Sequence, residues 1–233
     1  MIIVDLLTKV LRRVEIILLI VALAFAGSTL YDMYALTSAG VQKDGFPGFD
    51  ELKARNRDTV GWIRMDGTHI NHPVVQGEDN YEYINKGIDG EFYQGGSIFL
   101  DAGCSPDMTD KYLIIHGHHM SRGAMFSDLT CYLNEEFFEK NKLGDLITPD
   151  YQYELTVCGA GIVDAYDGEV YYTDPERDLP LELLDRCSLS RELEFKEGDK
   201  LVMLSTCSGD MTNDRSVVFC RARRTGDSDG IQN

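Results

Sequence analysis

The sequence predicts a mainly β domain, closed or nearly closed into a barrel, with a few helices set between its strands. The apolar runs that predict it are short and rich in Val, Ile, Leu and Phe, as in Ile98-Phe99-Leu100 and Leu201-Val202-Met203-Leu204. Gly, Asp or Pro bounds them, and only a few stretches show the three-to-four spacing of an amphipathic helix. Many short strands with few interposed helices are the pattern of a barrel. A chain of 233 residues, 43% apolar and 26% charged, holds one domain with a sizeable core and an appendage. Acidic residues outnumber basic ones 39 to 22, for a net charge of -17, which would repel a phosphate backbone and excludes nucleic acid as an expected partner.

The appendage comes first. Lys9, Arg12 and Arg13 precede an apolar run from Ile16 to Ala26, which Gly27, Ser28, Thr29 and Leu30 extend. That gives about fifteen residues, slightly short of a membrane span, and Val10, Leu11 and Val14 lengthen it if Arg12 and Arg13 snorkel. The segment inserts or is cleaved, because Ala24-Phe25-Ala26 resembles a signal-peptidase site; a retained anchor is the preferred reading. Basic residues before the run and an acidic domain after it put the N-terminus in the cytoplasm and the domain outside, as a single-pass protein of the cell membrane. Residues 1–31 thus form the cytoplasmic start and anchor, 32–48 a linker with glycines from Gly40 to Gly48, 49–224 the folded domain and 225–233 a tail.

Within the domain, residues 50–58 read as a short polar helix with Leu52 inward, and Val60 to Gln76 as a hairpin turning at Asp66-Gly67. Residues 79–84 form a helical turn, and Ser97 to Leu100 and Lys111 to Ile115 are strands. Ala124 to Lys140 carries Phe126, Leu129, Leu133 and Phe137 at helical spacing and predicts one amphipathic helix. Tyr151 to Val163 gives one strand or a pair, and Leu179 to Leu189 a short helix with Pro180 at its start.

Leu201 to Arg223 carries the chemistry. An apolar strand ends at Ser205-Thr206-Cys207, a polar loop follows from Ser208 to Asp214, and Arg215 opens the next strand. Paired as neighbours, the two strands bring a thiol and a guanidinium to one end of the sheet. A buried structural cysteine and a solvated arginine are the plain alternative. Of the six cysteines, Cys158 and Cys220 alternate with apolar neighbours as buried thiols do, whereas Cys207 sits where strand meets polar loop. No two show metal-ligand spacing. His116, His118 and His119 end another apolar strand, a position like that of Cys207. A nearby imidazole and guanidinium would favour the thiolate, and the arginine could stabilise an oxyanion. His116 and His118 could instead supply two metal ligands, but no carboxylate stands at a motif spacing such as H-E-x-x-H, so no metal and no cofactor are expected.

Leu204-Ser205-Thr206-Cys207 with Arg215 eight positions on, and Gly117-His118 after a strand, resemble a sortase. Asp79-Asn80, the stretch Gly96 to Asp101, and His118-His119-Met120 continuing into Gly123 to Phe126 narrow the resemblance to class B. It covers roughly Asn56 to Arg223 and implies an eight-stranded barrel with an N-terminal helical extension and a helix in the long loop, Tyr166 to Leu193, that shapes substrate choice. It also implies a cysteine transpeptidase on the outer face of a Gram-positive membrane. In that reading Cys207 attacks the Thr carbonyl of a C-terminal sorting signal in a secreted protein, His118 protonates the leaving amine, and Arg215 holds substrate and oxyanion. An amine of a cell-wall precursor or a pilin then resolves the thioester. Asn80, Ile84, Ser205 and Thr206 would lie along the substrate groove. Class B members mostly recognise signals containing Asn-Pro or a variant ending in Thr-Gly or Thr-Asn, and nothing in the sequence chooses between them. His116 departs from the family, which often has an aromatic there. The rival functions are an anchored cysteine peptidase that releases its product to water and a binding module whose Cys207 is inert.

Overall fold

The computed structural model describes residues 11–27, 46–120, 123–207 and 213–227. The first ten residues, the linker before Phe46, the polar loop 208–212 and the end of the tail lie outside them. Residues 11–27 are helical (α1), with apolar side chains such as Leu19 and Phe25 exposed. Among the described residues no helix is long and apolar enough to cross a membrane, so the expected single-pass anchor gains no support from the structure. The described helix falls short of the about 20 residues that a bilayer core needs, and the apolar extension expected after Gly27 lies outside the described residues. The chain divides into units Met1–Ala39 and Gly40–Asn233.

The second unit begins with the expected short helix, α2 (Phe49–Arg55), acidic in its first turn, basic in its last, and buried only at Leu52. β1 (Thr59–Met65) and β2 (Asn71–Val75) form the expected antiparallel hairpin. Gly67, in its turn, has φ +73, the left-handed region open to glycine at little cost. β3 (Ile98–Leu100), β4 (Tyr112–His116), β5 (Leu143–Ile147), β6 (Tyr151–Asp164), β7 (Leu189–Ser190), β8 (Lys200–Cys207) and β9 (Asp214–Asp227) complete the sheet. Its order is β5-β1-β2-β3-β4-β8-β9-β6, and β5 also pairs with β6, which closes eight strands into a barrel; β7 hangs on β6 as a two-residue ninth. The stretch 151–163 is therefore one long strand, bent where its register with β9 shifts between Val157 and Gly159.

The single helix expected over 124–140 is broken. Ser127–Leu133 is a 3-10 helix and Glu135–Lys140 a separate α-helix (α3). Asn134 between them is extended, and its side chain accepts from Phe137 N, so it caps a new helix rather than continuing the old one. The break shifts the inward face, and Tyr132 and Phe138 are fully covered where the uninterrupted spacing had picked Leu133 and Phe137.

Two layers of apolar side chains flank β4 and β8. Leu113, Ile115, Phe126, Val202, Leu204 and Val218 fill the barrel interior. Tyr112, Ile114, Leu201, Met203, Val217 and Phe219 form a second cluster with Val170 and Leu183, which come from the loop between β6 and β7. Burial on both faces is why these strands read as continuous apolar runs without alternation. Each fully buried Leu, Ile or Phe contributes about 1.5–3 kcal/mol of transfer free energy. The helix expected over 179–189 is a 3-10 turn, Leu181–Arg186, with Pro180 at its N-cap. Tyr112 Oη donates to Val170 O at 2.8 Å, and the Arg177 guanidinium donates to Glu169 O and Tyr172 O, so this long loop is laced to the barrel wall and to itself.

Candidate active site

The candidate site lies where β4 and β8 end and β9 begins. β8 and β9 are antiparallel, and their register sets Cys207 directly opposite Arg215. β4 and β8 are parallel, with His116 opposite Ser205, so both strands leave the barrel at the same rim. Gly117 continues the pairing, its N–H donating to Ser205 O at 3.1 Å. A Cβ on Gly117 would lie 2.4 Å from Ile98 Cδ1 and 2.8 Å from the Phe126 ring, so only glycine fits between strand and core there. His118 follows, half-buried, and its carbonyl accepts from Phe126 N at 3.0 Å.

The imidazole of His118 is held from the side. Its Nε2 lies 2.7 Å from Ile84 O, and since a carbonyl only accepts, Nε2 carries the proton and Nδ1 is left for proton traffic. Ile84 meets the imidazole through its backbone, and the tight turn at Gly96 packs against that carbonyl. Gly96 has φ +57, and a Cβ there would fall 2.2 Å from Ile84 O. Arg215 is partly exposed, and the one hydrogen bond described for its guanidinium is a local one to Asp214 O at 3.2 Å.

The remaining residues expected at the site divide. Asn80 is fixed at both ends of its amide: Nδ2 donates to Asp101 Oδ2 at 2.8 Å and Oδ1 accepts from Ala102 N at 2.8 Å. Ser205 is covered, with Oγ 2.9 Å from Tyr171 Oη. Thr206 is buried with its cross-strand neighbour Ser216, and neither hydroxyl has a hydrogen-bond partner among the described residues. The alternation of β8 sets Thr206 with Leu204 toward the barrel interior, away from the face that Ser205 shares with Tyr171. Thr206 was expected along the groove with Ser205, and the structure turns the two to opposite faces of β8.

Sequence reasoning missed the companions of His116. Its Nε2 donates to Asp101 Oδ2 at 2.9 Å, and its ring stacks between Phe99 at 5.1 Å and Tyr171 at 6.1 Å. Burial disfavours the Asp101 carboxylate, but hydrogen bonds from His116, Gly103 N and Asn80 outweigh that and hold its pKa below the usual range. Asp101 ends an apolar strand, which was the available signal; nothing in the spacing of Tyr171 ties it to Ser205.

A Sortase domain model matches residues 63–223, more than half of the chain. The chain belongs to the sortase family. Sortase B of Staphylococcus aureus is 32% identical over 182 residues, covering 75% of this chain and 74% of its own. Among solved structures, a class B sortase of Streptococcus pyogenes involved in pilus biogenesis aligns with a TM-score of 0.69 at 32% identity, over 76% of this chain and 98% of that one. A Staphylococcus aureus sortase B–substrate complex aligns with a TM-score of 0.69 at 28% identity, over 86% and 95%. The chain is a class B sortase, a cysteine transpeptidase on an eight-stranded barrel.

Proposed function

We propose that this sortase cleaves a C-terminal sorting signal after Thr and passes the acyl group to an amine of a cell-wall precursor or a pilin. The cross-strand pairing of Cys207 with Arg215, on the rim where β4 delivers His118, is the observation that carries the reading. Cys207 attacks the Thr carbonyl as a thiolate, and the oxyanion that forms is held by Arg215. The C–N bond then breaks, protonated His118 gives its proton to the leaving amine, and a thioester remains on Cys207. The acceptor amine attacks that thioester and loses a proton to His118, and the new amide leaves with the thiolate restored. Asn80 and Ser205 line the peptide groove, and Ile84 serves it by holding the imidazole.

The N-terminal segment enters the proposal as an anchor on the strength of its sequence, with the basic residues inside and the barrel outside the cell. Membrane fractionation of the full chain, before and after removal of residues 1–45, tests that part separately.

Hydrolysis shares every step up to the thioester. The deciding experiment incubates the enzyme with peptides containing Asn-Pro and ending in Thr-Gly or Thr-Asn, with and without an added oligoglycine or diaminopimelate amine. Amide product formed at the expense of free acid is expected. Free acid alone, at every amine concentration, overturns transfer.

A further inference from the structure

His116 is bonded to a carboxylate through its ring nitrogen and stacked on a tyrosine through its ring face. On one side His116 Nε2 and Asn80 Nδ2 share a single carboxylate oxygen, Asp101 Oδ2, at 2.9 and 2.8 Å. The other oxygen, Oδ1, accepts from Gly103 N at 2.9 Å and stands 3.4 Å from Thr173 Oγ1. The Asp101 side chain is only 9% exposed and that of His116 19% exposed, so the carboxylate depends on protein donors rather than on water. On the other side the His116 ring lies nearly parallel to Tyr171, at 13°, and the hydroxyl of Tyr171 meets Ser205.

A buried carboxylate that loses one of its donors turns to find another. The backbone N–H of Ala102 holds the oxygen end of the Asn80 amide, and the Asp101 carboxylate holds its Nδ2 end, so the direction of the amide's donor depends on Asp101. We propose that His116 is a positioning residue for the transpeptidation, which acts through Asp101 to fix the amide of Asn80 against the sorting-signal peptide. The ring of His116 keeps Asp101 in place by its stacking between Phe99 and Tyr171, and its N–H directs the carboxylate. This role needs both an aromatic plane and a donor.

The inference rests on the reading of Asn80 as a groove residue, and the test separates the two. Cleavage of quenched peptides containing Asn-Pro and ending in Thr-Gly or Thr-Asn is measured on the full chain for His116→Phe, His116→Gln, Asn80→Ala and the double variant His116→Phe/Asn80→Ala. His116→Phe keeps the plane and removes the donor, and is expected to raise KM about five-fold with kcat within about two-fold. His116→Gln keeps a donor near Nε2 and should recover part of that loss. In the Asn80→Ala background His116→Phe should add nothing, because its effect passes through the missing amide. If Asn80→Ala raises KM but His116→Phe leaves it unchanged, or adds its full effect to the double variant, the inference is overturned and the groove reading stands. If Asn80→Ala changes nothing, the groove assignment of Asn80 fails, and the inference falls with it. A crystal structure of His116→Phe gives a readout apart from activity: the Asn80 amide is expected to leave Asp101, and an unmoved amide overturns the inference. Should His116→Phe not fold, Asp101→Asn replaces it in each arm, with the same expected KM rise and the same loss of effect in the Asn80→Ala background.

Discussion

Among single residues, the cysteines differ most in environment. Cys158 and Cys220 are fully buried, and burial pushes the thiol of Cys158 up to about 12 and that of Cys220 well above its ordinary value. Neither is a nucleophile at neutral pH. Cys207→Ala is expected to abolish peptide cleavage, while Cys158→Ala and Cys220→Ala retain it; cleavage by Cys207→Ala at the parental rate would refute the proposed nucleophile. His118→Ala should likewise remove turnover, and chelators should leave the parental rate unchanged. His72 offers a different test. It is buried on β2 with its Nε2 unpartnered among the described residues, and burial lowers its pKa from 6.5 to about 4. The unfolded chain takes up a proton near pH 6.5 that the folded chain refuses until near pH 4, so stability falls as pH drops through that window and levels off below it. The loss amounts to about 3 kcal/mol in full, and urea midpoints measured from pH 7 to pH 4 should show a slope that His72→Gln removes.

Elements explain what the sequence disclosed and what it hid. β4, β8 and β9 were legible because strands covered on both faces are apolar without interruption, and Cys207 and Arg215 were legible because each marks the place where such a run stops. The helix over 124–140 was misread because spacing alone cannot see Asn134 turn extended to cap α3. The Asp101 to His116 link was hidden for another reason: it joins the ends of β3 and β4, and a register between strands leaves no periodic trace in either. The turn at Gly96 gives an element-level prediction. Gly96→Ala places a methyl group against the Ile84 carbonyl that holds His118, in a backbone region costing about 1 kcal/mol or more for any side chain. It should lower kcat well beyond its effect on the melting temperature. Equal, small changes in both would show that the Ile84 carbonyl does not position the imidazole.

At the level of the whole molecule, every strand of the barrel lies within residues 59–227. A chain beginning at Phe46 should therefore fold, remain soluble and cleave peptide at the rate of the full chain. Circular dichroism together with cleavage rates checks this, and a folded but inactive barrel would show that the N-terminal segment takes part in turnover.

The parallel pairing of β4 with β8 bears on when activity can arise. Cys207 and Arg215 belong to a local antiparallel pair that can zip early, whereas His118 reaches them only through strands far apart in the chain. A partly assembled molecule can thus pair Cys207 with Arg215 and still lack the proton donor proposed for them, His118. During refolding from denaturant, peptide cleavage should lag behind the reporting of Trp62, which sits on the β1–β2 hairpin, and appear only when the last long-range pairing is made. A newly made chain would then acquire its catalytic capacity in one step, at the end of its own folding.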